Sequence, residues 1–366
     1  MKRKVLFIIT GVNTGGLETY LLRFLQFKKN DLMPVVLYKN DDVNKEFYKD
    51  FRNAGAEMVL LPITMSPISM YKFYVFLRMQ KVNVICDFRG DFAGVPLFVA
   101  WLANIKNRIV FYRESRFQFT QTFYKSIYTK LLHLLTQKFS TKILSNSSDA
   151  FNNFYKKNEL KKKYHKVIRN GVYIKNTEEK DFNEDVRKKH GIPKNAFVIG
   201  HVGRYTPAKN HGLLVEIAKE LCIKHDDIYM LLCGKGIAES INDELIENKI
   251  KDKVIMPGLC KNIPSYLKAM DVFVFPSFNE GQPNALIEAI IEGVPIIASN
   301  IATIKETVHV GMYKVLFEPS DKKSFLKEVL KIKNGQTAYN IDDAKKWSKK
   351  EYSQKDRFEE FFLQLT

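Results

Sequence analysis

Residues 275–299 read FPSFNEGQPNALIEAIIEGVPIIAS. The apolar run Val272–Phe275 that enters this stretch has the length and composition of a buried strand, and it stops at Pro276. A polar loop with Ser277, Glu280 and Gly281 follows, and Pro283 sits where a first helical turn tolerates a missing N–H, so a helix is expected to start near it. The apolar run Pro295–Ala298 then reads as a further strand. The first turn of the helix leaves the backbone N–H groups of Asn284, Ala285 and Leu286 without acceptors inside the helix, and such groups hold anions. Glu288 follows Glu280 by eight residues and lies about a turn inside the helix, at a rise of ~1.5 Å per residue. One carboxylate in the loop and one on the helix can thus flank an extended ligand with phosphates between them.

Outward from this block the same rhythm continues. Phe197–Val202, Tyr229–Cys233, Val254–Met256 and Tyr313–Leu316 complete the strands of the second half. In the first half, strands are expected at Val5–Thr10, Pro34–Leu37, Met58–Leu61, Val84–Asp87, Ile109–Tyr112, Lys142–Ser145 and Val167–Ile168. Longer amphipathic stretches lie between them, and βαβα alternation implies parallel sheets covered by helices on both faces. The polar stretch Val172–Asn195 reads as a linker with a local helix near Asp185–His190. The expected architecture is α/β: two doubly wound, Rossmann-like domains facing a central cleft, with boundaries at 1–175 and 176–345, and a terminal helix at 346–366 packing back on the first domain.

Two other loops leave strand ends. HVGRYTPAKNHG, residues 201–212, carries Arg204 and Lys209, a forked guanidinium and a point ammonium that together suit a diphosphate. TGVNTGGLE, residues 10–18, puts Gly15 and Gly16 at a strand-to-helix turn. Its spacing is not G-x-G-x-x-G, and no G-K-[ST] occurs, so neither the dinucleotide fingerprint nor a P-loop is present. His201 and His211 flank the basic loop and read as structural.

The net charge of +18 is lopsided, with 30 basic and 12 acidic residues through Lys175 and 28 of each beyond it. Such asymmetry points to an anionic partner for the first half. Nucleic acid fits poorly, because no zinc-finger spacing, basic heptad region or RNP-like motif occurs. An anionic membrane surface fits better. RFQFTQTFYKSIYTKLLHLLTQKFSTK, residues 116–142, mixes Phe117, Phe119, Phe123, Ile127, Leu131, Leu134 and Leu135 with Lys125, Lys130 and Lys138, as an interfacial helix does. The alternative is an ordinary amphipathic helix packed on its own domain, and one helix can do both. The start, MKRKVLFIIT, has too short an apolar run and no cleavage site for a signal peptide, and the stretch 92–105 is too short to span a bilayer. Cys86, Cys222, Cys233 and Cys260 lack metal-ligand spacing and read as small buried hydrophobes in a reducing compartment. A cytoplasmic protein, peripheral at the inner face of the plasma membrane, is expected.

The early GGLE, Asn170–Gly171, the GR…KN of Gly203–Asn210 and the EGQPNALIE of Glu280–Glu288 resemble the retaining glycosyltransferases of the large GT-B family 4. The resemblance spans essentially the whole chain and is strongest in the second half. It implies a nucleotide-sugar donor, of the UDP-sugar kind, held by the second domain, with Arg204 and Lys209 on its diphosphate. It further implies Glu280 on the donor sugar's hydroxyls, Glu288 on the ribose, Gly281, Asn284, Ala285 and Leu286 around phosphate or sugar, and Gly15 and Gly16 facing the donor phosphates across the cleft, or the acceptor. The implied reaction needs no metal and no other cofactor, consistent with the lack of a D-x-D pair. The implied acceptor is a lipid-linked or saccharide glycan of surface polysaccharide synthesis. Many relatives have a histidine where this chain has Arg113 and Glu114, so those two, with Asp87, Arg89 and Asp91 after the preceding strand, are candidates for the acceptor side. The rival readings are a sugar-nucleotide epimerase or a phosphorylase on the same architecture, and a non-catalytic scaffold that binds nucleotide-sugar or polyanion.

Overall fold

The computed structural model describes residues 2–13, 15–41, 43–113, 123–155, 164–172, 185–260 and 262–366. Glu114, Phe117, Phe119, the side chains of Phe123 and Lys125, and residues 173–184 of the expected linker lie outside the described residues. The chain divides into two compact units: Met1–Gly171 with Lys355–Thr366, and Val172–Gln354.

The first unit is built on β1 (Arg3–Ile8), β2 (Leu32–Tyr38), β3 (Glu57–Leu60), β4 (Val84–Asp87), β5 (Asn107–Tyr112), β6 (Lys142–Ser145) and β7 (Tyr164–Val167). They form one sheet in the order β3-β2-β1-β4-β5-β6-β7, every pair parallel. The central strand β1 explains why a near-continuous apolar run was required. Val5 and Phe7 point into a cluster with Tyr20, Phe24 and Phe111, while Leu6 and Ile8 point to the other face with Phe73, Leu97 and Leu132. A strand covered on both faces has no polar side to spare.

The second unit holds β8 (Phe197–Val202), β9 (Ile228–Cys233), β10 (Val254–Gly258), β11 (Val272–Phe275), β12 (Ile296–Ser299) and β13 (Leu316–Phe317), again parallel, in the order β10-β9-β8-β11-β12-β13. Here too one face takes Val198, Phe273, Phe275 and Ala298, and the other Ile199, Val272, Val274 and Ile297. In each sheet the chain winds outward from one strand and then reverses, between β1 and β4 and between β8 and β11. Doubly wound sheets bind ligands beyond the carboxyl ends of the strands at such reversals.

Two stretches differ from the sequence expectation. Residues Val310–Val315 form a 3-10 helix rather than a strand, with the His309 ring accepting from Gly311 N–H at 3.3 Å, and the strand is only Leu316–Phe317. The terminal stretch is two helices, Ile341–Glu351 and Gln354–Leu365, parted at Tyr352 and Ser353. The first starts at Asn340, whose side chain accepts from Asp343 N–H at 3.0 Å. The second lays Phe358, Phe361 and Leu365 into the first unit's core, with the Phe24 and Phe361 rings 4.6 Å apart, and Lys28 Nζ reaches Glu359 at 2.6 Å.

Candidate active site

Strands β8 and β11 are neighbours in register, Val272 opposite Ile199 and Phe273 opposite Gly200, so the loops that follow them leave the same edge of the sheet. The β8 loop is laced to the end of β9 by Gly203 N–H on Cys233 O and Tyr205 N–H on Lys235 O, both at 2.9 Å. Any side chain on Gly234 would run into the Gly203 carbonyl oxygen, which is why that crossing needs a glycine. The two loops are then joined to each other. Phe278 N–H donates to Ala208 O at 2.8 Å, and Asn210 Nδ2 donates to Pro276 O at 3.1 Å and Pro319 O at 2.9 Å. Asn210 does this from the left-handed region, φ 55° and ψ 47°, which asparagine enters more readily than most residues.

This frame brings together two of the expected site residues, one from each loop. Lys209 Nζ lies 2.6 Å from Glu280 Oε1 and 4.8 Å from the centre of the Phe275 ring. Arg204 projects from the same loop, exposed, with no ion-pair partner among the described residues. Pro283 is the cap of the following helix, Asn284–Glu292, rather than its first residue, and Ile287 N–H is the first to close a bond onto it, at 3.2 Å. The Leu286 side chain is fully buried in the core, so this residue can offer a ligand only its backbone. Asn284, Ala285, Glu288 and Gly281 are half-buried along the same segment.

Behind the loop stand His201 and His211, both buried, with ring centres 5.1 Å apart. His201 Nδ1 donates to Val274 O at 2.9 Å, and its ring lies over Phe273 and Phe275. Burial pushes His201 down to about 3 and His211 down to about 4, so both are neutral near pH 7 and add no charge behind Lys209.

In the first unit the candidates separate. Gly15 caps the helix Gly16–Phe27, and the Glu18 carboxylate folds over it, placing the chain's own negative charge at that helix start. Asp87 and Arg89 hold each other, Nη2 to Oδ2 at 2.6 Å and Nε to Oδ1 at 3.0 Å. Asp91 is buried and accepts from the Tyr112 hydroxyl and from His133 Nδ1 at 2.9 Å. Arg113 lies with its guanidinium 3.8 Å from the centre of the Tyr20 ring, and burial lowers it to about 10. Glu114 is outside the described residues. In the sequence Asn210 stands out only as part of the KN pair. Its signal was an asparagine just ahead of a helix, a residue type suited to the left-handed conformation it adopts.

Comparison with known proteins fits this arrangement. Residues 182–354 match the family model of glycosyl transferases group 1, just under half of the chain. The chain is 27% identical over 341 residues to the UDP-Gal:alpha-D-GlcNAc-diphosphoundecaprenol alpha-1,3-galactosyltransferase of Escherichia coli, covering 89% of this chain and 85% of the relative. It is 26% identical over 317 residues to the capsular polysaccharide biosynthesis glycosyltransferase CapH of Staphylococcus aureus, covering 85% of this chain and 84% of that protein. The crystal structure of Anabaena Alr3699/HepE in complex with UDP and glucose matches at a TM-score of 0.80 and 17% identity over 99% of both chains. Residues 182–354 carry the sequence of the glycosyl transferases group 1, and the chain is a glycosyltransferase of the GT-B fold.

Proposed function

We propose that this enzyme is a retaining, metal-independent glycosyltransferase, of the family 4 kind, that moves a sugar from a nucleotide donor, of the UDP-sugar kind, to a lipid-linked or saccharide acceptor in surface polysaccharide synthesis. The observation that carries the reading is the Lys209–Glu280 pair, held on two loops stapled together in front of a helix N-terminus. A diphosphate entering there takes Lys209 as its partner. Glu280, so released, accepts hydrogen bonds from the donor sugar's hydroxyls. Arg204 and the first N–H groups of the Asn284–Glu292 helix take up the charge that develops on the leaving phosphate. Glu288, further along the helix, is assigned to the ribose hydroxyls, and Gly15 and Gly16 are assigned to the donor. In the transfer step the bond from the sugar's anomeric carbon to the phosphate oxygen breaks as the acceptor oxygen bonds to that carbon on the same face. The acceptor proton passes to the departing phosphate, so no protein nucleophile is needed.

The acceptor assignment draws on the first unit. The helix Phe123–Phe139 packs Leu132 and Phe139 inward, with Gly94 letting the helix Gly94–Leu102 come close: a Cβ there would lie 2.5 Å from Leu132 O. Its other face exposes Ile127, Leu131 and Leu134 beside Lys130 and Lys138, and Trp101 and Leu102 are exposed on the Gly94–Leu102 helix. Apolar groups interleaved with lysines suit the headgroup region of an anionic leaflet. No helix among the described residues is long and apolar enough to cross a membrane.

A thermal-shift panel with UDP, GDP, ADP and CMP tests the donor reading. One nucleoside diphosphate should raise the melting temperature of the wild type and not that of Lys209→Ala; a ligand at 100 times its Kd adds about 2.7 kcal/mol. No response to any of the four removes the reading's main support. Flotation with anionic vesicles at moderate salt tests the membrane part, which fails if the protein stays at the bottom of the gradient.

A further inference from the structure

Three buried polar atoms without a hydrogen-bond partner gather around one residue of the first unit. They are Arg113 Nη1, the Tyr20 hydroxyl and Asn146 Oδ1. Arg113 is the first residue beyond β5 and Asn146 the first beyond β6, so both stand at the carboxyl edge of the sheet, where doubly wound folds take ligands. Asn146 Nδ2 donates to Arg113 O at 3.3 Å, which fixes the two side by side. The ring centre of Tyr20, on the Gly16–Phe27 helix, lies 3.8 Å from the guanidinium carbon, and that of Phe111 lies 5.2 Å from it.

A guanidinium carries five N–H donors and stays protonated at neutral pH even after burial lowers it to about 10. Here its Nη1 has no hydrogen-bond partner, and the side-chain contacts it makes are to Tyr20 and Phe111. Its charge feels the Glu18 carboxylate, which lies folded over Gly15. Stacking on Tyr20 offsets part of the cost of burying the charge but satisfies none of the donors, which lie in the guanidinium plane. Buried charges are ordinarily paired, because an unpaired one loses its hydration with nothing in return. An oxyanion meets the forked donors bidentately, and a neighbouring hydroxyl meets the free Asn146 oxygen and the Tyr20 hydroxyl. Phosphates and carboxylates carried on sugars have both groups.

We propose that Arg113, with Tyr20 and Asn146, forms an oxyanion subsite that takes a phosphate or carboxylate group of the acceptor. The word acceptor rests on the transferase reading above; the anion site itself does not.

The test uses the full chain with Arg204→Ala and Lys209→Ala, which removes the cations of the donor loop. Calorimetric titration at constant ionic strength with inorganic pyrophosphate and with D-glucuronate separates the two sources of the oxyanion. At least one probe should bind. Adding Arg113→Gln should weaken that binding about tenfold or more, a loss of about 1.4 kcal/mol. Arg113→Lys, which keeps the charge and loses the fork, should fall between. If neither probe binds, or if Arg113→Gln lowers the melting temperature while anion affinity is unchanged, the subsite is rejected and Arg113 is a packing residue. Should Arg113→Gln fail to fold, Arg113→Lys decides: affinity equal to that of the parent rejects the forked site. Nucleotide binding by the otherwise unaltered chain is the separate check. If it is present and sensitive to Lys209→Ala while the subsite fails, the transferase reading stands alone. If it is absent while the subsite binds its probe, the transferase reading fails and the anion site remains.

Discussion

Lys209 and Glu280 form a 2.6 Å ion pair across two loops that leave adjacent strands, each only partly open to solvent. The pair means that neither group waits as a free charge: on the proposed donor site, phosphates compete with Glu280 for Lys209. Removing either partner therefore does two things at once. Lys209→Ala should weaken nucleotide binding and also take away the cation beside a largely buried carboxylate. Glu280→Gln should leave nucleotide binding within a few-fold of wild type and cut transfer by about a hundredfold or more, the scale of losing one polar group aimed at the reacting centre. Nucleotide titration beside a transfer assay checks both. Normal transfer by Glu280→Gln rejects the assignment of the site.

Asn210 ties that pair to the sheet. Its amide donates to Pro276 O and Pro319 O from a left-handed backbone. Asn210→Ala loses both bonds and keeps a Cβ in the left-handed region, where a residue other than asparagine, aspartate or glycine costs about 1–2 kcal/mol. Asn210→Gly loses the bonds alone. Both variants should raise the donor KM by about tenfold, worth about 1.4 kcal/mol, because Lys209 is no longer held. The alanine variant should also melt lower than the glycine one. Wild-type KM in both would show that the staple does not position Lys209.

Much of this was legible in the sequence, for a physical reason. A central strand of a doubly wound sheet is buried on both faces, so β1, β4, β8 and β11 announce themselves as short apolar runs with polar loops after them. The helix start at Asn284 was legible because proline marks it. Three things were not. Val310–Val315 is apolar enough for a strand but winds into a 3-10 helix capped by His309, and local apolar content does not tell the two apart. The hydrogen bonds of Asp87, Arg89 and Asp91, which run between Asp87 and Arg89 and from Asp91 to Tyr112 and His133, are a matter of side-chain geometry that spacing does not encode. The break at Tyr352 and Ser353, which sends the last helix to the first unit, follows no proline or glycine.

The buried histidines give a pH dependence whose sign is fixed. His201 is pushed down to about 3 and His211 to about 4, whereas both titrate near 6.5 when unfolded. The unfolded chain therefore takes up these protons first. The stabilisation is complete above about pH 7, declines as pH falls below 6.5, and levels only near the folded values. The decline is about 1.4 kcal/mol per pH unit for each imidazole fully in that window. Melting temperatures between pH 7.5 and 5 should fall, and His201→Phe should make the fall shallower whatever its own baseline stability. An unchanged slope would mean that His201 becomes protonated in the folded protein.

The last helix, Gln354–Leu365, should act as part of the first unit rather than as a tail. Phe361 is fully buried, 4.6 Å from Phe24 and 5.3 Å from Phe111, and Phe358 meets Tyr20 at 5.4 Å. Emptying such a site costs about 3–5 kcal/mol, because the lost transfer energy adds to the cavity left behind. Phe361→Ala should therefore lower the melting temperature by many degrees, whereas Leu363→Ala, at an exposed position of the same helix, should change it little. Hydrogen exchange followed by mass spectrometry locates the effect. Protection should be lost in the Gly16–Phe27 helix and in β5, whose Phe24 and Phe111 meet Phe361, and be kept in β8 and β11. Loss confined to the last helix itself would show that the first sheet is stable without this cover.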